Sequence, residues 1–263
     1  MTKVAIVVLT RGYNEIKDYK QLISRNRHIA MNFYLKLNNK EDYDIIIFHE
    51  GNIHVQHQNY IQSNSPRLPL IFKKVEFINK ITINNCLCPP TQLSSIFSIG
   101  YKNMCHFWSI DFLNYLSDYT YIIRIDEDCN ILNIPTNLIE LYNANNIMFS
   151  SAYYQGEDDP NVTIGLDKFF NIFMEKNNIK PYKNSVKCPY TNVMIVNVDY
   201  FNKNTVVQKV LKLIKETNCI FSNRWGDLPI WGYILSYLVD DKLYLKDDTI
   251  SYIHGSHNKK INL

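Results

Sequence analysis

Asp126 and Asp128 stand two residues apart where a β-branched and aromatic run ends; residues 119–130 read YTYIIRIDEDCN. Alternate residues of an extended chain point the same way, so the two carboxylates are expected on one face, with Glu127 pointing away. Two convergent carboxylates suit a hard divalent cation, Mn²⁺ or Mg²⁺, that also holds a diphosphate, because such ions prefer oxygen ligands. The triplet alone is weak evidence, since acidic residues after a strand are often only a solvated turn. Asp227 precedes Leu228-Pro229 and an apolar helix, which it is placed to cap. Tyr101, Met104, Cys105, Trp108, Phe112 and Tyr115 recur at helical spacing and share one face.

A buried strand must deliver the carboxylates to its C-terminal edge, where ligands collect in open α/β sheets. The preceding chain alternates strand and helix. Residues 3–9 (KVAIVVL) read as a first core strand, too short for a membrane span and without the cleavage site of a signal peptide. Thr10, Arg11, Gly12 and Tyr13 form the loop after it. Helical composition covers 15–37, YDIIIFH at 43–49 is a second buried strand, 52–63 is amphipathic, and a third strand is expected over 70–77. Pro89-Pro90 marks a loop. This order predicts a mostly parallel sheet with helices on both sides, and a nucleotide over the strand ends at Thr10–Tyr13 and Asp126–Asp128. There is no G-x-G-x-x-G and no Walker sequence, which argues against a dinucleotide dehydrogenase or a P-loop enzyme.

The second half is less regular. Helices are expected over 137–145, 162–176, 205–216 and from 229 to 238, and strands over 147–152, 187–196, 242–245 and 249–254. No linker or internal repeat divides the 263 residues, so one domain with two lobes is expected, 1–130 and 131–263. Hydrophobic content of 46%, charged content of 20% and a net charge of +3 describe an ordinary globular chain and give no argument for nucleic acid or a membrane surface. Six cysteines without a C-x-x-C pair read as reduced thiols. The absence of an export signal points to a soluble, cytoplasmic protein, and the sequon Asn161-Val162-Thr163 is then coincidental.

Five motifs, in order, resemble glycosyltransferase family 15, the fungal α-1,2-mannosyltransferases. Residues 99–107 (IGYKNMCHF) resemble Y-R-x-M-C-R-F, and Arg124–Asp128 resembles R-V-E-P-D. Residues 188–195 resemble the region around S-N-F-E-I. Residues 224–229 (RWGDLP) resemble R-W-G-D-A-P, and residues 247–254 resemble D-D-I-G-Y-H-H. The resemblance spans residues 69–257 and implies a GT-A fold with a nucleotide-binding lobe at 1–130 and an acceptor lobe at 131–263. It also implies Mn²⁺, GDP-mannose as donor and retention of anomeric configuration. Family members carry an N-terminal membrane anchor; none is found here, so the chain looks like an anchorless relative.

The resemblance assigns Asp126, Asp128 and His254 to the metal, with His257 as a fallback; for His254 the plain alternative is a surface histidine. An imidazole beside carboxylates suits Mn²⁺ more than Mg²⁺. Thr10, Arg11, Gly12, Tyr13 and Asp126 fall to the donor side. Asp227 becomes an acceptor-site carboxylate and Tyr101 an active-site tyrosine, each with a structural alternative as cap or core aromatic. Arg124 is expected to pair with an acidic neighbour. Trp225 and Trp231 offer faces for a sugar, but tryptophans beside an apolar helix are more often core. One departure stands out: the family's S-N-F-E-I glutamate, a candidate nucleophile, aligns with Met194. Asp199, Glu157, Asp158 and Asp159 are other carboxylates in the region. A front-face reaction, in which the leaving diphosphate helps deprotonate the acceptor, needs no enzymic nucleophile. UDP-sugars are alternative donors, and the acceptor is a glycan, glycoprotein or glycolipid. Two other readings are open: a GT-A-like nucleotidyltransferase or phosphohydrolase, and a non-catalytic nucleotide- or glycan-binding relative.

Overall fold

A computed structural model describes residues 2–78, 95–156, 158–160, 163–257 and 259–263. Its strands are β1 (Val4–Leu9), β2 (Tyr43–His49), β3 (Leu70–Lys74), β4 (Tyr121–Ile125), β5 (Cys129–Asn133) and β6 (Phe149–Ser151), followed by β7 (Tyr154–Gln155), β8 (Cys188–Pro189), β9 (Val193–Asn197), β10 (Tyr244–Lys246), β11 (Ser251–His254) and β12 (Lys259–Ile261). Seven of them make one sheet in the order β10-β6-β9-β4-β1-β2-β3. Within it β9 runs against β4 and β6, and the other neighbours are parallel. The sheet crosses residue 130, because β6, β9 and β10 from the second half extend it beside β4.

Both faces of the central strands are buried, which is why they read as unbroken Val/Ile runs. Ala5, Val7 and Ile122 face a core with Trp108, Phe112, Phe149 and Trp231. Val4, Ile6 and Ile123 face the opposite core with Ile29, Phe33 and Tyr142. The indoles of Trp225 and Trp231 are fully buried and donate to the carbonyls of Ile164 and Trp108, so both tryptophans are core residues and neither offers a face to a ligand.

The helical stretch expected at 15–37 is realised in three pieces. A 3₁₀ turn (Ile16–Tyr19) leads into α1 (Lys20–Asn32), and Phe33 breaks the helix at φ −139° and ψ −73° before a second turn, Tyr34–Lys36. The stretch at 101–115 is the helix Ile99–His106, a π-helical turn at Phe107–Asp111 and a last turn at Phe112–Tyr115. The expected strand at 187–196 is two strands, β8 and β9, with Tyr190, Thr191 and Asn192 between them. A second sheet, β12-β11-β5, was not evident in the sequence; its strand β5 follows directly on the acidic turn. Pro89-Pro90, Cys86, Cys88, Glu157, the first two sequon residues and the side chain of His257 lie outside the described residues. The described cysteines, Cys105, Cys129, Cys188 and Cys219, are buried free thiols. No described helix is long and apolar enough to cross a membrane.

Candidate active site

β4 ends at Ile125, and the chain turns at once. The Asp126 amide donates to the Asn192 carbonyl (2.9 Å), and the Cys129 amide closes back on the Asp126 carbonyl (3.0 Å). Residues 126–128 are therefore not extended, and the strand alternation that would put Asp126 and Asp128 on one face stops before them. The two carboxylates point to different partners, although both line one cleft of ≈ 390 Å³ at the sheet edge.

Asp126 faces Arg124. The guanidinium donates through Nε to Oδ1 (2.8 Å) and through Nη2 to Oδ2 (2.9 Å), a two-point grip. Its Nη1 donates to Asp227 Oδ2 (2.6 Å), and the plane packs on Trp108 with 4.4 Å to the ring centroid. Burial alone would lower the Arg124 pKa, but the two carboxylates outweigh it and hold the group firmly charged. Arg124 thus pairs with an acidic neighbour as expected, and with a second one 103 positions away.

Asp128 faces β11. In the antiparallel pairing of β5 with β11, His254 lies opposite Cys129, which brings the imidazole to the acidic turn. His254 Nε2 is 3.1 Å from Asp128 Oδ2, and its Nδ1 is 3.0 Å from the Tyr190 hydroxyl. The Ser256 hydroxyl and amide also donate to Asp128 Oδ2. Burial would raise the Asp128 pKa, but the hydrogen bonds from His254 and Ser256 hold it well below the usual carboxylate range. His254 is itself buried, so the surface-histidine alternative does not apply.

Ligand atoms of Asp128, Cys129 and His254 lie within 4.8 Å of one another. Burial and the neighbouring carboxylates push the Cys129 thiol well above its usual range, and it is turned to Asp128 Oδ1 (3.9 Å) while Asp128 and His254 line the cleft. The carboxylate and the imidazole are the donors of the trio that line the ≈ 390 Å³ cleft. That donor set suits Mn²⁺ more than Mg²⁺. Asp126 is not in this trio; both of its oxygens are held by Arg124.

A second cleft, ≈ 440 Å³, opens over the loop after β1 and shares Tyr101, Met104, Asp128 and Ser256 with the first. Thr10, Arg11 and Tyr13 line it together with Glu127, which accepts hydrogen bonds from the Thr10 and Tyr13 hydroxyls. Glu127 thus points away from Asp128 and ties the acidic turn to the first loop. Burial raises its pKa, and the Tyr13 phenol is pushed up to about 12 by burial and by the Glu127 carboxylate beside it. Gly12 donates to Asn52 Oδ1 (3.0 Å), and a Cβ there would lie 2.5 Å from the Asn52 carbonyl oxygen, so only glycine fits. Beneath both clefts Arg25 is fully buried. It donates to the last turns of β4 and β1, at Ile125 O (2.8 Å) and Val7 O (3.0 Å), and burial lowers its pKa to about 10, which leaves it cationic at neutral pH.

Asp227 is the first residue of the helix Asp227–Tyr233, and Gly226 occupies the cap position. Its carboxylate makes no capping bond; Oδ2 accepts from Arg124 and from Thr191 Oγ1 (2.8 Å). The cap assignment is corrected by this orientation, since the side chain turns across the cleft toward β4. Tyr101 packs against the core and also lines both clefts, where its hydroxyl accepts from Arg224 Nη2 (2.7 Å). Arg224 adopts a left-handed backbone (φ 59°) and packs on Phe97 and Tyr101.

Met194 is fully buried in β9, opposite Arg124, and no carboxylate reaches the cleft from that position. Asp199 is far from the cleft in the fold: β9 runs antiparallel, so the helix after it begins at the opposite sheet edge, and Asp199 pairs there with Lys203 (3.9 Å). Asp158 lines the ≈ 390 Å³ cleft. Sequence reasoning missed Arg25, Tyr190, Asn192, Arg224 and Ser256. For Arg224 a signal existed, since it opens the R-W-G-D segment, and for Asn192 likewise, since with Met194 at the glutamate it stands at the asparagine of S-N-F-E-I; the others depend on which strands meet.

No protein-family model matches the chain. It is 25% identical over 173 residues (59% of this chain) to the O-glycoside alpha-1,2-mannosyltransferase homolog 2 of Schizosaccharomyces pombe, and spans about half (46%) of the length of that curated relative. Among solved structures it is similar to core-mannan synthase A of Aspergillus fumigatus in its Mn/GDP form, with a TM-score of 0.77 at 16% identity over 97% of this chain and 75% of that one. It is also similar to the mannosyltransferase Ktr4p of S. cerevisiae, with a TM-score of 0.75 at 19% identity over 96% of this chain and 70% of that one. A more distant likeness, to mouse xyloside xylosyltransferase 1, has a TM-score of 0.51 at 11% identity over 93% of this chain and 84% of that one. The fold is the GT-A fold of these mannosyltransferase structures.

Proposed function

We propose that this chain is a Mn²⁺-dependent glycosyltransferase that moves a hexose, mannose by likeness, from a GDP-sugar to a hydroxyl of a glycan-bearing acceptor, with retention. The observation that carries the reading is the pairing of β5 with β11, which sets His254 against Asp128 at the seam of two clefts on the sheet edge. Relatives and structural neighbours named as mannosyltransferases, one of them in a Mn/GDP form, support the donor and the metal.

Asp128 and His254 would hold the metal, with Asp126 close by on Arg124. When bound, such an ion offsets the negative charge that develops on the leaving diphosphate. Thr10, Arg11, Gly12 and Tyr13 would hold the nucleotide over the C-terminal end of β1, where ligands of such sheets bind. Tyr101, on the wall common to both clefts, would orient the phosphates. Asp227 would receive or orient the acceptor hydroxyl, because Arg124 and Thr191 fix its carboxylate toward the cleft. The buried Met194 favours a front-face route to retention, in which the diphosphate itself assists deprotonation and no enzymic carboxylate attacks the sugar.

The test is transfer of radiolabelled mannose from GDP-mannose to simple mannosides in Mn²⁺, with the product's anomeric configuration read by NMR. A labelled α-mannoside, lost on chelation, is expected. Release of phosphate or free mannose at the same rate with and without acceptor would favour a hydrolase and contradict the proposal.

A further inference from the structure

Asn192 is 6% exposed and lines the cleft between Asp126 and Asp227, yet neither metal, nucleotide nor acceptor chemistry has claimed it. Its amide is held in one orientation. Oδ1 accepts from the Val193 amide (3.1 Å) and from the Tyr252 hydroxyl (2.9 Å), and Tyr252 is fully buried in β11. A flipped amide would set its NH₂ against the Val193 N–H, donor to donor, so the flip is excluded. The orientation leaves Nδ2 a buried donor with no partner among the described residues. Buried donors are nearly always satisfied, so such a group in a cleft wall marks a place where a ligand completes the site.

The neighbours decide what kind of ligand. Asp126, Asp158 and Asp227 share this wall. Arg124 and Arg224 line it too, but Arg124 is already held by Asp126 and Asp227; a phosphate could only accept here, whereas a neutral sugar hydroxyl can accept from an amide and donate to a carboxylate at once. The backbone adds rigidity, since the Asn192 carbonyl already holds the Asp126 amide. We propose that Asn192 Nδ2 donates a hydrogen bond to one hydroxyl of a hexose in the cleft, and so helps to select the sugar. This rests on the transferase reading of the same site.

The discriminating substitution is Asn192→Asp. It keeps the acceptor oxygen for Val193 and Tyr252 and replaces the amide donor by a second oxygen, but it also sets a carboxyl group beside Asp126 and Asp227, so only a loss shared with the uncharged Asn192→Ala counts. Asn192→Ala removes both and serves as a second variant, and melting curves check that each is folded. Calorimetric titration in Mn²⁺ with GDP and with GDP-mannose separates the nucleotide from the sugar. Expected is unchanged GDP affinity and about a three- to tenfold loss for GDP-mannose, the scale of one neutral hydrogen bond. On the unaltered protein, one member of a panel of GDP-monodeoxymannoses should show the same loss. If GDP-mannose binding is unchanged but KM for the mannoside acceptor rises by that factor, the hydroxyl belongs to the acceptor hexose. If neither moves, and no deoxy sugar is disfavoured, the inference is overturned. Absence of any Mn²⁺-dependent GDP-mannose binding in the unaltered protein would overturn the transferase reading, and this inference with it.

Discussion

Arg124 organises the cleft at the scale of single residues. It is almost completely buried, and its charge is balanced by Asp126 on one side and Asp227 on the other. Removing the cation leaves two carboxylates on one cleft wall, Asp227 nearly buried and Asp126 with 28% of its side chain exposed; breaking a fully buried pair costs about 3–5 kcal/mol, and solvent at Asp126 lowers that here. Arg124→Gln is expected to lower the unfolding free energy, read from the shift of the urea midpoint, by up to that amount and to abolish transfer, because Asp227 loses its orientation. An unchanged midpoint would mean that the guanidinium is not the counterion. The sequence exposed part of this. Arg124, Asp126, Asp128, Asp227 and His254 were all visible as chemistry-bearing residues, and the pairing of Arg124 with an acid was expected. Which acid held which base was not visible. Asp126 and Asp128 part company because the chain turns at Ile125, and Asp227 reaches Arg124 across 103 positions. Alternation rules end where the strand ends.

Secondary-structure elements carry the next level. The loop after β1 is pinned from two directions, by Glu127 on the acidic turn and by Asn52 against Gly12. A methyl group at Gly12 meets the backbone of residue 52 at 2.5 Å, and backbone cannot yield as a flexible side-chain tip does. Gly12→Ala is therefore expected to cost about 1–3 kcal/mol, as overpacking does, and to displace Arg11 and Tyr13 from the donor cleft. Equilibrium dialysis with labelled GDP should show weakened binding; normal GDP affinity would remove this loop from the nucleotide site. The strands β1, β2 and β4 were legible because burial on both faces writes an unbroken apolar run. Of the small β5-β11-β12 sheet only β11 was, within the strand expected at 249–254. Its strands are short, β5 (CNILN) is half polar, and it is defined only by partners some 120 residues away. That hidden sheet is what brings His254 to Asp128. Motif order could therefore point to the proposed metal site, whereas local pattern alone could not reach it.

For the molecule as a whole, pH and ligands act on the folded state. Asp111 sits on the π-helical turn of the cleft-lining helix, between His106 Nδ1 (2.9 Å) and Lys215 Nζ (3.2 Å). Burial would raise its pKa, but His106 and Lys215 outweigh that and lower it. A carboxyl depressed in the folded state contributes stability above its unfolded pKa, about 3.9 for aspartate, and loses it as pH falls through the folded value. Asp111→Asn should therefore reduce the melting temperature at neutral pH and flatten its decline below about pH 4. An identical acid limb in both proteins would show that Asp111 does not contribute. On the same scale, a ligand that binds only the folded chain stabilises it by mass action.

The central claim is that Asp128 and His254 make a metal site on which a GDP-sugar depends. It is tested most directly by calorimetric titration of GDP-mannose into the protein with Mn²⁺ and with chelator, repeated on Asp128→Asn. Asparagine preserves the size of the side chain and can still accept from Ser256, so folding should survive while the metal loses its charged ligand. Binding in Mn²⁺ that falls at least tenfold with chelator, and falls equally in Asp128→Asn with Mn²⁺ present, is the predicted result. GDP-mannose binding of equal strength under all three conditions, or none in Mn²⁺, would contradict it.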